Sequence, residues 1–252
     1  MTALGAALAL LVGLVLGLLG GGGSVLTVPI LVYVLHVPVK PAIAMSLLVV
    51  GLVAMIGFLS HLRQRTVATR VALIFGPFAV IAAYLGARLA QHVSSQLQLI
   101  LFALIGLVAS VLMLRGGLKR GWAEALPYEL SSDARTTTFL ALEGLAVGFL
   151  TGLIGIGGGF LIVPALVLVA KLPMRLAIGT SLLVIMMNAL SGFAGYLGHV
   201  TIDWSLVGWF TSVAAVGSII GTLLSKRVPQ QGLRHVFGYL LMAVSIYVLY
   251  RR

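Results

Sequence analysis

The chain has 252 residues, of which 61% are hydrophobic and only 8% are charged, and its mean hydropathy is +1.18. Several apolar stretches approach the roughly 20 residues that a membrane-spanning helix requires. In a soluble chain the net charge of +11 would suggest nucleic acid, but here the basic residues lie in short connections between apolar stretches. The composition therefore predicts a polytopic membrane protein without a nucleic-acid partner. The absence of cysteine excludes disulfides and thiolate metal sites.

Ten apolar segments follow one another along the chain, five in each half. The second and seventh are too short to span, because 11 helical residues rise about 17 Å against a hydrocarbon core of about 30 Å. The prediction is an all-α protein with a first transmembrane repeat at 1–115, a polar cytoplasmic linker at 116–137 and a second repeat at 138–252. The segments cover residues 2–19, 25–35, 41–60, 71–90 and 97–114, then 138–154, 160–170, 176–197, 204–225 and 233–250.

The two halves are related in sequence. A shift of 135 positions places "GLVLGLLGGGGSVLTVP", which begins at Gly13, on "GFLTGLIGIGGGFLIVP", which begins at Gly148. Between Gly13 and Phe58, 22 of 46 positions are identical to their counterparts without a gap. Each half is therefore predicted to be one structural unit. Because the first segment has a counterpart in mid-chain, we expect it to be integral rather than a cleaved signal.

Two arrangements of the short segments fit this pattern. Either segments one and two form a pair of opposed helices, which inverts the second half, or they form one helix broken at the glycines, which leaves the halves parallel. Lys and Arg concentrate on the cytoplasmic side of membrane proteins, and the inverted arrangement separates them twelve to four, against nine to seven for the parallel one. We therefore favour inverted repeats with both termini outside. The four outer residues are Lys40, Arg88, Arg251 and Arg252.

The glycine clusters "GGGGS" and "GIGGGF" interrupt apolar segments at matching positions. Inverted repeats with Gly-broken helices are typical of secondary transporters, whose sites lie at the repeat interface near the membrane centre. The amides at a helix start, with the positive end of the helix dipole, favour an anion. The alternative is that the glycines only let helices approach closely.

The run "GLIGIGGGFLIVP", followed by "AIGTSL", resembles the TauE/SafE sulfite exporter family, also called the 4-toluene sulfonate uptake permease family. The resemblance covers nearly the whole chain. The first half departs from the family's pattern at Gly21 and Ser24 in the glycine stretch, and it has "AMSLL" where the second half has "GTSLL". It implies a secondary transporter in a prokaryotic plasma (inner) membrane. Its substrates would be sulfite, organosulfonates or related small sulfur-containing anions, and export is one direction that it suggests.

Glycine amides and hydroxyls from both repeats are the candidate anion ligands. Ser46 and Ser181 align in the repeat and could alternatively cap their helices, while Asn188 could alternatively join two helices by a hydrogen bond. Lys40 and Arg175 also align, and they either attract the anion or extend to the interface. The predicted substrate-binding residues are Gly22, Gly23, Ser24, Ser46, Gly157, Gly158, Gly159, Thr180, Ser181 and Asn188.

Glu143 is the only acidic residue inside an apolar segment. Intramembrane acids often belong to proton or ion pathways, so Glu143 is a candidate for coupling to protons, with placement at the interface as the alternative. The coupling ion would be a proton or sodium. We predict neither a cofactor nor a metal. Because no acid-base or metal constellation is recognisable, an anion transporter is favoured over a membrane-embedded enzyme or scaffold. An anion channel is the remaining alternative.

Overall fold

The computed structural model describes residues 3–116, 134–154, 159–168, 170–225 and 227–250. Throughout these ranges the regular structure is helical, as the sequence predicts. A π-helical turn, Ile30–Val34, continues the second helix after Pro29. The helices are α1 (Ala3–Leu19), α2 (Gly22–Pro29), α3 (Val39–Arg63), α4 (Thr69–Ala90), α5 (Ser95–Gly116), α6 (Ala134–Ile154), α7 (Gly159–Leu168), α8 (Met174–Tyr196), α9 (Trp204–Ser225) and α10 (Gln230–Tyr250).

Seven of the described helices are long and apolar enough to cross a membrane, namely α3, α4, α5, α6, α8, α9 and α10. The predicted segments match these helices closely, and α9 has the predicted bounds. The helix α6 begins at Ala134, slightly before the predicted start of the second repeat at position 138. Most of the predicted linker at 116–137 lies outside the described residues.

The start of α2 corrects one prediction. We expected the short helix to begin at Val25, after the glycines, but Gly22 and Gly23 form its first turn. A Cβ built on Gly23 would overlap the carbonyl oxygen of Val12 and lie 2.6 Å from the Cβ of Leu16. Close packing against α1 therefore outweighs the low helix propensity of glycine.

Helices α1 and α2 form a hairpin. If the two were one interrupted helix, Gly23 would lie about 16 Å along the axis from Val12, yet the two residues are in contact. The reversal occurs at Gly20, whose φ of +75° lies in the left-handed region that glycine adopts readily. The first short segment consequently returns toward the face from which α1 came.

Two helix pairs between the halves run parallel and meet through glycines. Helix α1 packs along α9, and α6 packs along α4. At each glycine a built Cβ would overlap the partner's backbone, so a larger residue would force the helices apart. The contacts pair Gly13 with Ala214, Gly17 with Ser218, Gly148 with Ala79 and Gly152 with Ala83.

Two other pairs run antiparallel. In the central pair, Gly51 of α3 contacts Leu190 of α8, whereas Gly57, further along α3, contacts Leu182, nearer the start of α8. Helices α5 and α10 likewise cross in opposite directions, since Gly106 lies against Ser245 and Gly238 against Leu114. The sequence repeat maps α3 onto α8, α5 onto α10, and the α1/α9 pair onto α6/α4.

The same local hydrogen bonds occur at two places in the chain that correspond to each other in the sequence repeat. After the first short segment, the amides of Leu35 and Val37 donate to Ile30 and Leu31 at 3.0 and 2.9 Å. After α7, the amides of Ala170 and Leu172 donate to Ala165 and Leu166 at 3.2 and 2.9 Å. The residues at the bend, His36 and Lys171, have φ values of 55° and 54°.

Candidate functional site

The two glycine clusters meet in the interior of the bundle. A Cβ built on Gly21, just before α2, would overlap the carbonyl of Gly159, the first residue of α7. A Cβ built on Gly159 would lie 2.7 Å from the Cα of Gly21. The next residue, Phe160, is buried edge-to-face against Phe102 of α5, with ring centroids 5.3 Å apart. The starts of the two short helices are therefore held together by a backbone contact that only glycine allows.

Helix α8 supplies the wall of this junction. A Cβ on Gly20 would lie 2.6 Å from Ser181 Oγ and 3.1 Å from the Cα of Ile178. A Cβ on Gly159 would lie 2.8 Å from Ile185 Cδ1. Since residues spaced by three, four or seven share a helix face, Asn188 stands on the same face as Ser181 and Ile185.

Asn188 has no hydrogen bond in the described parts of the chain. Its side chain is 2% exposed, and neither its Nδ2 nor its Oδ1 meets a partner there. The alternative that Asn188 joins two helices by a hydrogen bond therefore has no support among these residues. An orphaned buried amide costs about 1–3 kcal/mol, so its presence calls for an explanation such as a bound water or ion.

The three candidate serines donate their hydroxyls to the carbonyl three residues earlier. Ser24 donates to Gly21, Ser46 to Ile43 and Ser181 to Ile178, at 2.7, 2.8 and 2.8 Å. Neither Ser46 nor Ser181 caps the start of its helix, because each lies two turns inside it. A serine in this arrangement must rotate its hydroxyl before it can donate to an anion.

Thr180 is bound to a loop. Its Oγ1 accepts a hydrogen bond of 2.9 Å from the amide of Ala68, the residue that precedes α4. A Cβ on the neighbouring Gly179 would overlap the carbonyl oxygen of Thr66. The connection between α3 and α4, residues 64–68, thus covers the start of α8.

The remaining predicted glycines divide into two groups. Gly22 and Gly23 lie against α1, and a Cβ on Gly22 would be 3.0 Å from Val15 and 3.2 Å from Leu240. Close packing against neighbouring helices therefore accounts for both. Gly157 and Gly158 lie outside the described residues.

The two aligned cations have different surroundings. Lys40 donates from Nζ to the carbonyl of Gln91 at 2.9 Å, which ties the start of α3 to the end of α4. Arg175 makes a long hydrogen bond of 3.5 Å to the carbonyl of Val228 and lines a cavity. Of the pair, Arg175 is the one placed to meet a solute.

That cavity and a second one lie at opposite ends of the α3/α8 pair. The first has a volume of about 420 Å³ and the second about 370 Å³. Each contains basic side chains, and no Asp or Glu belongs to the described residues that line either one. The first is lined by His61, Arg63, Gln64, Thr66, Arg175 and Ser225, the second by Leu85, Arg88, Leu89, Gln91, His92 and His199.

Glu143 faces the protein rather than the lipid. Its two carboxylate oxygens are buried and, within the described ranges, have no hydrogen-bond partner, while the adjacent Leu142 is 58% exposed. The adjacent Gly144 packs on Phe75 of α4. Across the same described ranges, no group of three or more His, Cys, Asp or Glu side chains is arranged to hold a metal ion.

The residues that sequence reasoning missed are Gly20, Gly21, Ile178 and Ile185. The sequence repeat could have identified Gly20, because it aligns with Gly155. The contact of Gly21 with Gly159 carried no such signal, because the counterpart of Gly21 is Ile156.

Comparison with known proteins extends over nearly the entire chain. The profile of the family described as "Sulfite exporter TauE/SafE" matches residues 5–248. A probable membrane transporter protein of Xylella fastidiosa strain 9a5c is 38% identical over 245 residues, covering 96% of this chain and 92% of the relative. The probable membrane transporter protein YdhB of Bacillus subtilis strain 168 is 28% identical over 221 residues, covering 87% and 89%.

A third relative matches with lower identity. The probable membrane transporter protein MJ0441 of Methanocaldococcus jannaschii is 26% identical over 265 residues, covering 96% of this chain and 94% of the relative. No solved structure matches significantly. With seven apolar helices of spanning length among the described residues and a family match over residues 5–248, the chain is a multi-pass membrane protein that belongs to the TauE/SafE sulfite exporter family of membrane transporters.

Proposed function

We propose that this protein is a secondary transporter that moves sulfite, organosulfonates or related small sulfur-containing anions by alternating access, with a central site between α2, α7 and α8. Membership of a sulfite exporter family supports the substrate class. Alternating access involves no covalent step. Directed hydrogen bonds and helix dipoles can hold a sulfo group without a buried full cation.

The observation that carries the proposal is the orphaned amide of Asn188. It lies on the α8 face that contacts Gly20 and Gly159, where the two glycine clusters meet. An anion seated beside this face would accept hydrogen bonds from the amide and, after rotation of its hydroxyl, from Ser181. In the structure the junction is closed by Gly21 against Gly159, which suits an occluded state of a carrier better than an open channel.

We also propose that the two halves are inverted repeats. The antiparallel course of α3 and α8, which correspond to each other in the repeat, supports this arrangement. So does the hairpin of α1 and α2, which contributes an even number of crossings. The duplicated hydrogen bonds after the two short segments support the division into repeats at 1–115 and 138–252.

The topology can be measured with introduced cysteines, since the chain has none of its own. Cysteines at Gln64 and Gln230 should react with a membrane-impermeant thiol reagent from the cytoplasmic face, and one at Gln91 from the outer face. The cytoplasmic assignment follows from the excess of Lys and Arg on that side. Labelling of positions 64 and 230 from opposite faces would rule out the inverted arrangement.

Transport is tested in proteoliposomes by comparing sulfite, alkyl and aryl sulfonates, thiosulfate and chloride. A carrier for sulfur-containing anions predicts saturable uptake of sulfite or a sulfonate, acceleration by the same anion inside the vesicle, and little chloride flux. Flux that does not saturate and lacks counter-transport would instead identify a channel. Absence of flux with every sulfur-containing anion would overturn the proposed substrate class.

We propose Glu143 as the coupling residue, because a carboxyl group buried without a described partner suits a proton carrier. The variant Glu143→Gln keeps the shape of the side chain and removes its titration. Flux should then no longer depend on an imposed pH gradient, while anion binding to the purified protein should stay measurable. Dependence on the gradient equal to that of the unmodified protein would leave Glu143 with no coupling role.

A further inference from the structure

Two leucines pack on glycines at repeat-related places in the α3/α8 pair. Leu182 of α8 lies against Gly57 of α3, with its Cδ1 and Cδ2 at 3.2 and 3.4 Å from a Cβ built on that glycine. Leu47 of α3 lies against Gly192 of α8 in the same way, with both terminal carbons at 3.5 Å. The sequence repeat maps Leu47 onto Leu182 and Gly57 onto Gly192. The two contacts are therefore copies of one another in the two halves.

The two contacts lie on either side of the orphaned amide of Asn188. Along α8, Leu182 stands seven residues after Arg175, which lines the first cavity, and six residues before Asn188. Gly192 stands four residues after Asn188 and seven before His199, which lines the second cavity. Along the helix axis, one leucine contact therefore separates each cavity from the middle of α8.

Helices α3, α8 and α9 each contribute a side chain to the lining of the first cavity, namely His61, Arg175 and Ser225. Gly57 lies four residues before the lining residue of α3, Leu182 seven residues after that of α8, and Ser218 seven residues before that of α9. Residues at these spacings share a helix face. A Cβ built on Gly57 would lie 3.2 Å from both Leu182 Cδ1 and Ser218 Oγ. These three residues therefore meet beneath the cavity, between the helices that enclose it.

Ser218 adds a polar group to the contact beneath the first cavity. Its side chain is 0% exposed, and its hydroxyl has no hydrogen-bond partner in the described part of the chain. The repeat maps Ser218 onto Ala83, so the contact near the second cavity has no hydroxyl at the matching position. An unpartnered hydroxyl can donate to an oxyanion without first giving up another hydrogen bond.

Resting on the proposed transport function, we propose that Leu182 and Leu47 are the two gates of the anion path and that Ser218 is an anion contact beside the first gate. Leu182 on Gly57 closes the way from the first cavity to the middle of α8, and Leu47 on Gly192 closes the way from the second. Both leucines are buried and both contacts are formed, so the structure is closed toward both cavities. Alternating access then requires that the two contacts open one at a time.

The gates are tested with the reporter Asn188→Cys, which lies between the two contacts in a chain that has no other cysteine. Because truncation of a buried leucine leaves a cavity where the side chain packed, Leu182→Ala should raise labelling by an impermeant thiol reagent at least about tenfold from the Gln64 face. The rate from the Gln91 face should stay unchanged. Leu47→Ala should show the reverse pattern. The smaller truncations Leu182→Val and Leu47→Val should act on the same faces by smaller factors.

The matched control is Leu190→Ala on the same helix. Leu190 also packs on a glycine of α3, with its Cδ2 3.1 Å from a Cβ built on Gly51, but it is 36% exposed and so lies at the outside of the α3/α8 pair. Its truncation should change labelling from neither face. An equal rise with Leu190→Ala, a rise from both faces with either gate variant, or no rise in any gate variant would overturn the assignment of the gates.

The anion contact is tested by the charge of the reagent, in the protein that carries both Asn188→Cys and Leu182→Ala. Ser218→Ala should slow labelling from the Gln64 face by a sulfonate-bearing methanethiosulfonate about threefold to tenfold, the factor of one ordinary hydrogen bond. Labelling by a trimethylammonium-bearing reagent should not change. Ser245→Ala, which removes an equally buried hydroxyl of α10 without a described partner, should affect neither reagent.

Equal slowing of both reagents by Ser218→Ala, or of neither, would overturn Ser218 as an anion contact. All of these readouts are labelling rates and require no transport. A failure of the flux experiment and a failure of the gates are therefore separate results.

Discussion

Replacing Asn188 with leucine should remove most anion binding while leaving the protein at least as stable as before. If the amide donates to a bound anion, its loss removes a hydrogen bond to a charged group, worth about 1.5–3 kcal/mol. The Kd for the transported anion should then rise by roughly tenfold to a hundredfold. Because the amide has no partner among the described residues, no existing hydrogen bond is lost, and a leucine of similar volume removes an unsatisfied polar group.

The matched control is Ser110→Ala on α5. Ser110 is also fully buried, and its hydroxyl has no described hydrogen-bond partner, but it lies more than two turns along α5 from Phe102, the residue that packs on Phe160 of α7. Its removal should leave both Kd and flux unchanged. Thermal unfolding and anion binding are measured on purified, monodisperse protein. Normal binding by Asn188→Leu would place the anion elsewhere, and equal losses in both variants would indicate a general packing effect.

Substituting Gly21 by alanine should abolish transport, although only one methyl group is added. The φ of −96° at Gly21 is one that alanine adopts freely, so the backbone conformation is not strained. The added Cβ would overlap the carbonyl of Gly159. A Cβ is fixed by the backbone, and the carbonyl is part of the backbone, so neither group can rotate away. The starts of α2 and α7 must therefore separate, and overpacking of this kind costs about 1–3 kcal/mol.

Gly208→Ala provides the comparison within the same protein. Gly208 lies in α9, and a Cβ built there meets nothing within 4 Å. Alanine should leave flux unchanged and stabilise the helix by about 0.5–1 kcal/mol. Flux is measured in proteoliposomes with equal amounts of folded protein, judged by gel filtration. Wild-type flux in Gly21→Ala would mean that contact between the two glycine clusters is not needed for transport.

The sequence by itself determined the membrane class and the helical segments. Apolar runs long enough to cross the hydrocarbon core can satisfy their backbone hydrogen bonds in lipid only as helices or closed barrels, and their ends are marked by polar and basic connections. This is why α9 lies at its predicted bounds and why most other helices begin and end close to theirs. The duplicated glycines also marked the places where α2 follows α1 and where α7 follows α6.

Only the tertiary structure decided what each polar residue does. Ser46, Thr180 and Ser181 are all hydroxyl residues at the same level of repeated helices. The two serines donate to carbonyls of their own helices, whereas Thr180 accepts from a loop in the other half of the chain. Gly22 and Gly23 lie mainly against α1, whereas Gly20 meets α8 and Gly21 meets the start of α7. Hydropathy and spacing describe one helix at a time, while a hydrogen bond or a close backbone contact depends on which helix stands opposite, and that is settled by packing over the whole bundle.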